Sequence, residues 1–96
     1  MLPKENPEEF YSRFHEQLKI SQEWPGKYLF KFILRIGEVE EKVLTDLFLS
    51  TDATYSRKKS SKNTFVSLSV IVTMESPADI ITIYKKVKTI KGVITL

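Results

Sequence analysis

The chain has 96 residues, of which 42% are hydrophobic and 28% charged, and it contains no cysteine. A chain of this length suits one domain. On folding it buries about 60–70% of the surface that the unfolded chain exposes, which is enough for a core without covalent cross-links. The missing cysteine excludes disulfides and thiolate metal sites and is typical of a reducing compartment. No apolar run approaches the ~20 residues that span a bilayer, and the first six residues contain no apolar signal core. A cytoplasmic protein is therefore expected.

Charge is distributed unevenly along the chain. Residues 1–50 carry seven Lys/Arg and nine Asp/Glu, a balance of −2, whereas residues 51–96 carry eight and three, a balance of +5. Such asymmetry is typical of proteins with an anionic partner. The alternative is that the lysines protect an edge strand from aggregation and keep the protein in solution.

The first predicted element is a helix over residues 6–19. Asn6 can cap it, Pro7 suits its first position, and Glu9 completes a capping-box pattern. Side chains four residues apart share one helical face. On this helix they are Phe10, Phe14 and Leu18. Acids outnumber lysines nearby, so the pattern predicts packing against the domain or another chain rather than binding to a membrane surface.

Alternating and helical apolar patterns predict six further elements. The predicted strands are residues 28–36, 53–59, 64–74 and 93–96, and the predicted helices are residues 38–49 and 76–90. The acidic start of the first of these helices suits the helix dipole, and Ser76-Pro77 is a strong start for the second. Trp24 precedes a Pro-Gly turn, and we expect it to pack on the domain edge.

The order strand, helix, strand, strand, helix, strand favours a ferredoxin-like β-α-β-β-α-β sandwich. This is an α+β fold with an antiparallel sheet, here with an extra N-terminal helix. Right-handed crossovers place the first and third strands in the centre and the lysine-rich second strand at an edge. The predicted division is a helical extension and connector over residues 1–23, followed by the domain over residues 24–96.

One face of the predicted sheet is half apolar and half polar. The helices are expected to cover the face that carries Phe30 and Leu68, which leaves the other face open. The open side of the first and third strands shows Leu29, Lys31, Ile33, Arg35, Phe65, Ser67, Ser69 and Ile71. Such a face is too apolar to be simply solvated, so the N-terminal helix or a second subunit is expected to cover it.

Three segments occur in a characteristic order, at residues 24–32 (WPGKYLFKF), 60–70 (SSKNTFVSLSV) and 91–96 (KGVITL). The first segment has a proline before an aromatic strand that contains a lysine. The second is a Ser/Lys/Asn turn that leads into a strand with the pattern aromatic-x-Ser. The third is a short strand that ends the sequence. In this order they resemble the YbeD-like proteins of unknown function over residues 24–96. The chain departs from that family where Asn63-Thr64 replaces a frequent glycine, and residues 1–20 lie outside the family core.

The resemblance implies an ACT-like fold and, through it, ligand sensing or subunit pairing by a regulatory domain. ACT-like domains usually hold ligands near a glycine-bearing loop after the first strand, which makes Gly37 a candidate here. Lys31 and Ser67 are the other candidate ligand contacts. The expected partners are a protein or a second copy, bound through the open sheet face or the N-terminal helix, or a small ligand.

The residues that carry covalent chemistry are almost absent. His15 is the sole histidine and has no patterned partner, and Glu38, Glu40 and Glu41 stand where a helix start favours acids. Three glycines form no phosphate loop, and no serine occurs in a nucleophile-elbow pattern. We predict no catalytic residue, no metal site and no cofactor, and we do not expect an enzyme.

The alternative function is contact with RNA or another anion. A basic patch surrounds the predicted hairpin and consists of Arg57, Lys58, Lys59 and Lys62. Phe65 and Tyr28 could offer surfaces on which bases stack. Against this hypothesis, the third strand lacks the aromatic-rich run that is typical of RNA-binding sheets.

Overall fold

The structure is a computed structural model that describes residues 6–96. Within these residues the helices are α1 (Pro7–Ser21), α2 (Glu41–Thr45), which continues into a 3-10 turn (Asp46–Phe48), and α3 (Pro77–Lys88). The strands are β1 (Gly26–Arg35), β2 (Thr54–Lys59), β3 (Phe65–Met74) and β4 (Val93–Thr95). The predicted α+β fold with an additional N-terminal helix is confirmed.

The four strands form one antiparallel sheet in the order β2-β3-β1-β4. β1 and β3 pair along their whole length, from Gly26 opposite Met74 to Arg35 opposite Phe65. Both central strands are rich in β-branched and aromatic residues, which suit a pleated surface with neighbours on both sides. The ferredoxin-like strand order is confirmed, and the lysine-rich β2 is an edge strand.

One face of the sheet carries the core. Its fully buried side chains alternate along the central strands, and the helices above contribute others: Phe30, Phe32, Leu34, Leu68, Val70, Leu44 and Ile80. Burying each side chain of this size contributes about 1.5–3 kcal/mol. The molecule is 21 Å thick in its smallest dimension, which corresponds to one sheet and one helix layer. The opposite face of the sheet has no helix over it within residues 6–96.

Helix α1 packs beside α3, on the helical side of the sheet. The Asn6 side chain accepts a hydrogen bond from the Glu9 amide (2.8 Å), so the predicted cap is confirmed. Leu18 is buried, and the Trp24 indole N–H donates to the Leu18 carbonyl at 3.0 Å. The ring of Phe14 lies 5.6 Å from that of Tyr84. The expectation that this helix covers the open face is therefore wrong, because its apolar stripe is used against α3.

The helix predicted over residues 38–49 is much shorter in the structure. Gly37 lies in a turn over residues 36–38 with a φ of 92°, and Glu40 is extended before α2 begins. At the other end, the tighter 3-10 turn carries Phe48 over the core, with its ring 5.3 Å from Phe30. Val43 of α2 is 41% exposed.

Candidate functional site

The face of the sheet that points away from the helices is the first candidate site, and we name it the open face. Alternate residues of each strand point to it, and the register places them in rows across the sheet. One row contains Ile94, Ile33, Ser67 and Lys58, the next contains Lys31, Ser69 and Ser56, and the third contains Leu29, Ile71 and Thr54. Four strands therefore contribute to one continuous surface.

Exposed aliphatic side chains form the apolar part of the open face. Leu29 and Ile71 lie opposite each other in the β1–β3 ladder and are 55% and 45% exposed. Ile94 on β4 is 55% exposed. Phe65 is half-buried at one end of the face, where the Arg35 guanidinium lies 6.0 Å from its ring centre. A hydrophobic surface spread over neighbouring strands is typical of a binding surface.

The charged side chains of the open face are cations. They are Lys27, Lys31, Arg35 and Lys58, and no residue of β1–β4 that points to this face is acidic. Two carboxylates lie at its margins: Glu38 is 3.6 Å from Arg35, and Asp52 accepts hydrogen bonds from the hydroxyl (2.6 Å) and amide (2.8 Å) of Thr73. These hydrogen bonds hold the pKa of Asp52 below its ordinary value. The centre of the face is thus apolar and positively charged.

The structure brings together two of the three predicted ligand residues. Lys31 lies opposite Ser69 and Ser67 lies opposite Ile33, so Lys31 and Ser67 are diagonal neighbours on the open face. Gly37 lies beyond the end of β1, at least about 13 Å along the strand from Lys31. A side chain at Gly37 would meet no atom within 4 Å. Its positive φ explains a glycine there without a ligand.

The basic patch does not form one surface. Alternation along β2 turns Lys58 to the open face and Arg57 and Lys59 to the helical side. The Arg57 Nε donates to both carboxylate oxygens of Glu41 at 2.9 and 3.0 Å, which ties the edge strand to α2. Lys62 lies in the turn after β2. Only one residue of the patch therefore adds to the charge of the open face.

A family model described as "Protein of unknown function (DUF493)" matches residues 20–96. The chain belongs to the DUF493 family. Comparisons with curated proteins and with solved structures found no match. Asn63 has a φ of 54°, in the left-handed region that glycine and asparagine tolerate, which explains why either residue suits the turn before β3.

Most of α1 precedes the DUF493 segment, yet it forms one wall of a second candidate site. This cavity, which we name the aromatic groove, has a volume of about 710 Å³ and lies between α1, α3 and the β4 edge. Its lining includes Phe10, Phe14, Tyr28, Tyr84, Lys88 and Leu96. The sequence does not predict it, because Tyr28 and Tyr84 stand 56 residues apart and meet only in the folded chain.

Two tyrosine hydroxyls meet at the aromatic groove. The hydroxyl oxygens of Tyr28 and Tyr84 are 3.0 Å apart, and either can donate. Burial, and then the hydrogen bond to Tyr28, raises the pKa of Tyr84 well above its ordinary value of 10.0. Tyr84 is therefore neutral over the physiological range.

A metal cluster and a membrane-spanning helix are two further features that residues 6–96 could contain. No three His, Asp or Glu side chains of this part come together in a way that could hold a metal ion. His15 lies on α1 with its Nδ1 3.9 Å from Glu16. None of the helices described here is long and apolar enough to cross a membrane.

Proposed function

We propose that this DUF493 protein is a non-catalytic interaction module whose open face binds an acidic, partly apolar surface of another protein. The observation that carries this proposal is the combination of exposed Leu29, Ile71 and Ile94 with four cations and no acidic strand residue. A partner with carboxylates around aliphatic or aromatic groups would complement both properties. No serine of the sequence occurs in a nucleophile-elbow pattern and the single histidine has no patterned partner, which supports a role without catalysis.

The side chains of the open face favour a protein over a nucleic acid. Bases stack on aromatic rings, whereas the exposed apolar groups in the middle of this face are aliphatic. Phe65 is the one aromatic residue that β1–β4 direct to the face, and it lies at the end of the β1–β3 ladder. The cations alone would suit RNA, so RNA binding is tested as an alternative below.

A second copy of the chain fits the open face less well. In a two-fold symmetric dimer the same patch lies on both sides of the interface. Lys31 lies in the middle of the face, with Arg35 and Lys58 nearby, so two copies would bring like charges together. Subunit pairing, which the resemblance to YbeD-like proteins implies, is therefore the less favoured use of this surface.

The test uses a library of random dodecapeptides displayed on phage, selected against the whole protein. Leu29→Ser with Lys31→Glu removes an aliphatic side chain and reverses one charge of the open face. The matched control carries Ile20→Ser with Lys19→Glu on α1, where Ile20 is 84% exposed. Both pairs change exposed side chains, so both variants are expected to fold, and circular dichroism checks this.

We expect selected peptides to combine Asp or Glu with apolar residues. They should bind the open-face variant at least about tenfold more weakly than the control, and binding should weaken with salt. Peptides that bind both variants equally would contradict the proposal. Fluorescence anisotropy with poly(U) RNA, and sedimentation without ligand, test the alternatives. RNA binding or dimerisation that only the open-face variant loses would replace the protein partner by RNA or by a second copy.

We also propose that the protein is one of the YbeD-like proteins and that it performs this role in the cytoplasm. The segments that resemble that family lie within the DUF493 match, and the absence of cysteine fits a reducing compartment. A small ligand would regulate this function by competing with the partner protein for Lys31 and Ser67. Lys31→Ala would then abolish the effect of the ligand on partner binding without changing the unfolding temperature.

A further inference from the structure

We propose that the aromatic groove binds a small carboxylic acid with an apolar alkyl or aryl body. The groove lies on the helical side of the sheet, and the open face lies on the other. The proposal therefore does not depend on the partner proposed above. It rests on three observations: the size and lining of the groove, its charge, and the hydroxyl pair that it contains.

The size and lining of the groove suit an apolar body. Its volume of about 710 Å³ lies within the range of about 300–1,000 Å³ that is typical of small-molecule sites. Phe10 and Phe14 lie along the α1 side, with ring centres 6.1 Å apart, and Val87 and Leu96 line it from α3 and the chain after β4. Phe10 remains 46% exposed, so a ligand that covers its ring would remove further apolar surface from water.

The charge of the groove favours an acid. Lys88 is a lining residue, and among residues 6–96 no Asp or Glu side chain lines the groove. No ion pair among residues 6–96 involves Lys88. Lys85 lies nearby on α3, with its ammonium 5.0 Å from the centre of the Tyr11 ring. A carboxylate at this rim would form a charge-assisted hydrogen bond with Lys88 without displacing an existing partner.

The tyrosine pair supplies a second polar contact. Two hydroxyl groups that share one hydrogen bond use one of their two hydrogens, so the other O–H can donate elsewhere. Tyr28 and Tyr84 both line the groove, which makes the free hydrogen available to a ligand oxygen. A hydroxyl donor and an ammonium together suit a carboxylate, and the charge of the Lys88 ammonium would repel a cation.

The test is an amide NMR titration of the labelled protein with decanoate and with indole-3-acetate. Acids of this size are expected to bind with a dissociation constant of about 0.1–1 mM. Shifts should saturate and should map to Phe10, Tyr84 and Leu96 rather than to the open face. Decanol has the same alkyl length but no charge, so it measures what the carboxylate adds.

Matched lysine variants decide the role of charge. Lys88→Ala should weaken decanoate binding by about threefold to tenfold and decanol binding by less than about twofold. Lys86→Ala removes an exposed lysine of the same helix that does not line the groove, and it should change neither. Equal decanoate affinity in the two variants would overturn the proposal, as would shifts confined to the open face or no saturable shift with either acid. Phe10→Ala, at an exposed position, should weaken both acids.

Discussion

Gly37 and Gly92 share a backbone conformation, with φ of 92° and 90°, but differ in their surroundings. An alanine at Gly37 would meet no atom within 4 Å, whereas at Gly92 its Cβ would lie 3.2 Å from the Glu38 Cβ and 3.4 Å from Val39. We expect Gly37→Ala to lower the free energy of unfolding by about 1–2 kcal/mol through backbone strain alone. Gly92→Ala should lower it by about 2–4 kcal/mol, because crowding adds to the strain.

Urea unfolding of the two glycine variants measures this difference directly. Each serves as the control for the other, since the strained φ is the same. Equal losses in both variants would mean that Glu38 and Val39 move away from the added Cβ and that crowding at Gly92 costs nothing.

The partly buried Tyr84 hydroxyl makes stability depend on alkaline pH. Its pKa is raised in the folded protein by burial, so the folded chain keeps the proton when the unfolded chain begins to lose it near pH 10. The stabilisation is therefore complete below that pH and is lost as the pH rises toward the folded pKa. We expect the wild-type protein to lose stability more steeply above pH 10 than Tyr84→Phe, in thermal unfolding at stepwise pH.

Side chains that do not contact Tyr84 are the same in both proteins, so their contributions cancel in that comparison. Tyr55, whose pKa burial also raises, is likewise present in both. Parallel pH profiles for the wild type and Tyr84→Phe would show that the hydroxyl of Tyr84 is not buried in solution.

For single residues, the sequence predicts well which way a side chain points. It predicts poorly the contacts between residues that are far apart in the sequence. The period of two along a strand is enough to place Lys31 and Ser67 on one face. The same period separates Lys58 from Arg57 and Lys59, so a cluster in sequence is not a cluster in space. The tyrosine pair could not be predicted, because it depends on how α3 lies over β1.

Among the elements, α1 offers the clearest test of tertiary packing. Leu18 is 5% exposed in the core, whereas Ile20, two residues later, is 84% exposed. We expect Leu18→Ala to lower the free energy of unfolding by about 2–4 kcal/mol. Ile20→Ala should change it by less than about 0.5 kcal/mol. Chemical unfolding followed by circular dichroism measures both, and equal effects would mean that α1 does not pack on the domain.

The elements with local signals were predicted well. The caps of α1 and α3 are formed by Asn6 and Ser76, whose side chains accept hydrogen bonds from amides three residues later. The length of α2 was not predictable, because its apolar spacing also fits a longer helix. In the structure, a turn over residues 36–38 delays its start, and the 3-10 turn over Asp46–Phe48 ends it.

For the whole molecule, the order of elements was sufficient to predict the ferredoxin-like sheet, because few topologies join two strand-helix-strand units. The order of elements could not predict the position of α1. Its apolar stripe fits either side of the sheet, and the choice depends on Tyr84 and on the Trp24 hydrogen bond to Leu18. The two sides of the molecule therefore differ. The open face is cationic and aliphatic, and the helical side carries the aromatic groove.

Because of the hydrogen bond between Trp24 and Leu18, tryptophan fluorescence can report on the attachment of α1. Trp24 is the single tryptophan in the chain, and its indole joins the end of α1 to the segment before β1. Its emission therefore reports the environment of one junction rather than an average over many. If α1 detaches while the sheet stays folded, the fluorescence maximum shifts to the red before the far-ultraviolet signal of the strands changes. Detachment of α1 and global unfolding can then be followed separately in one sample.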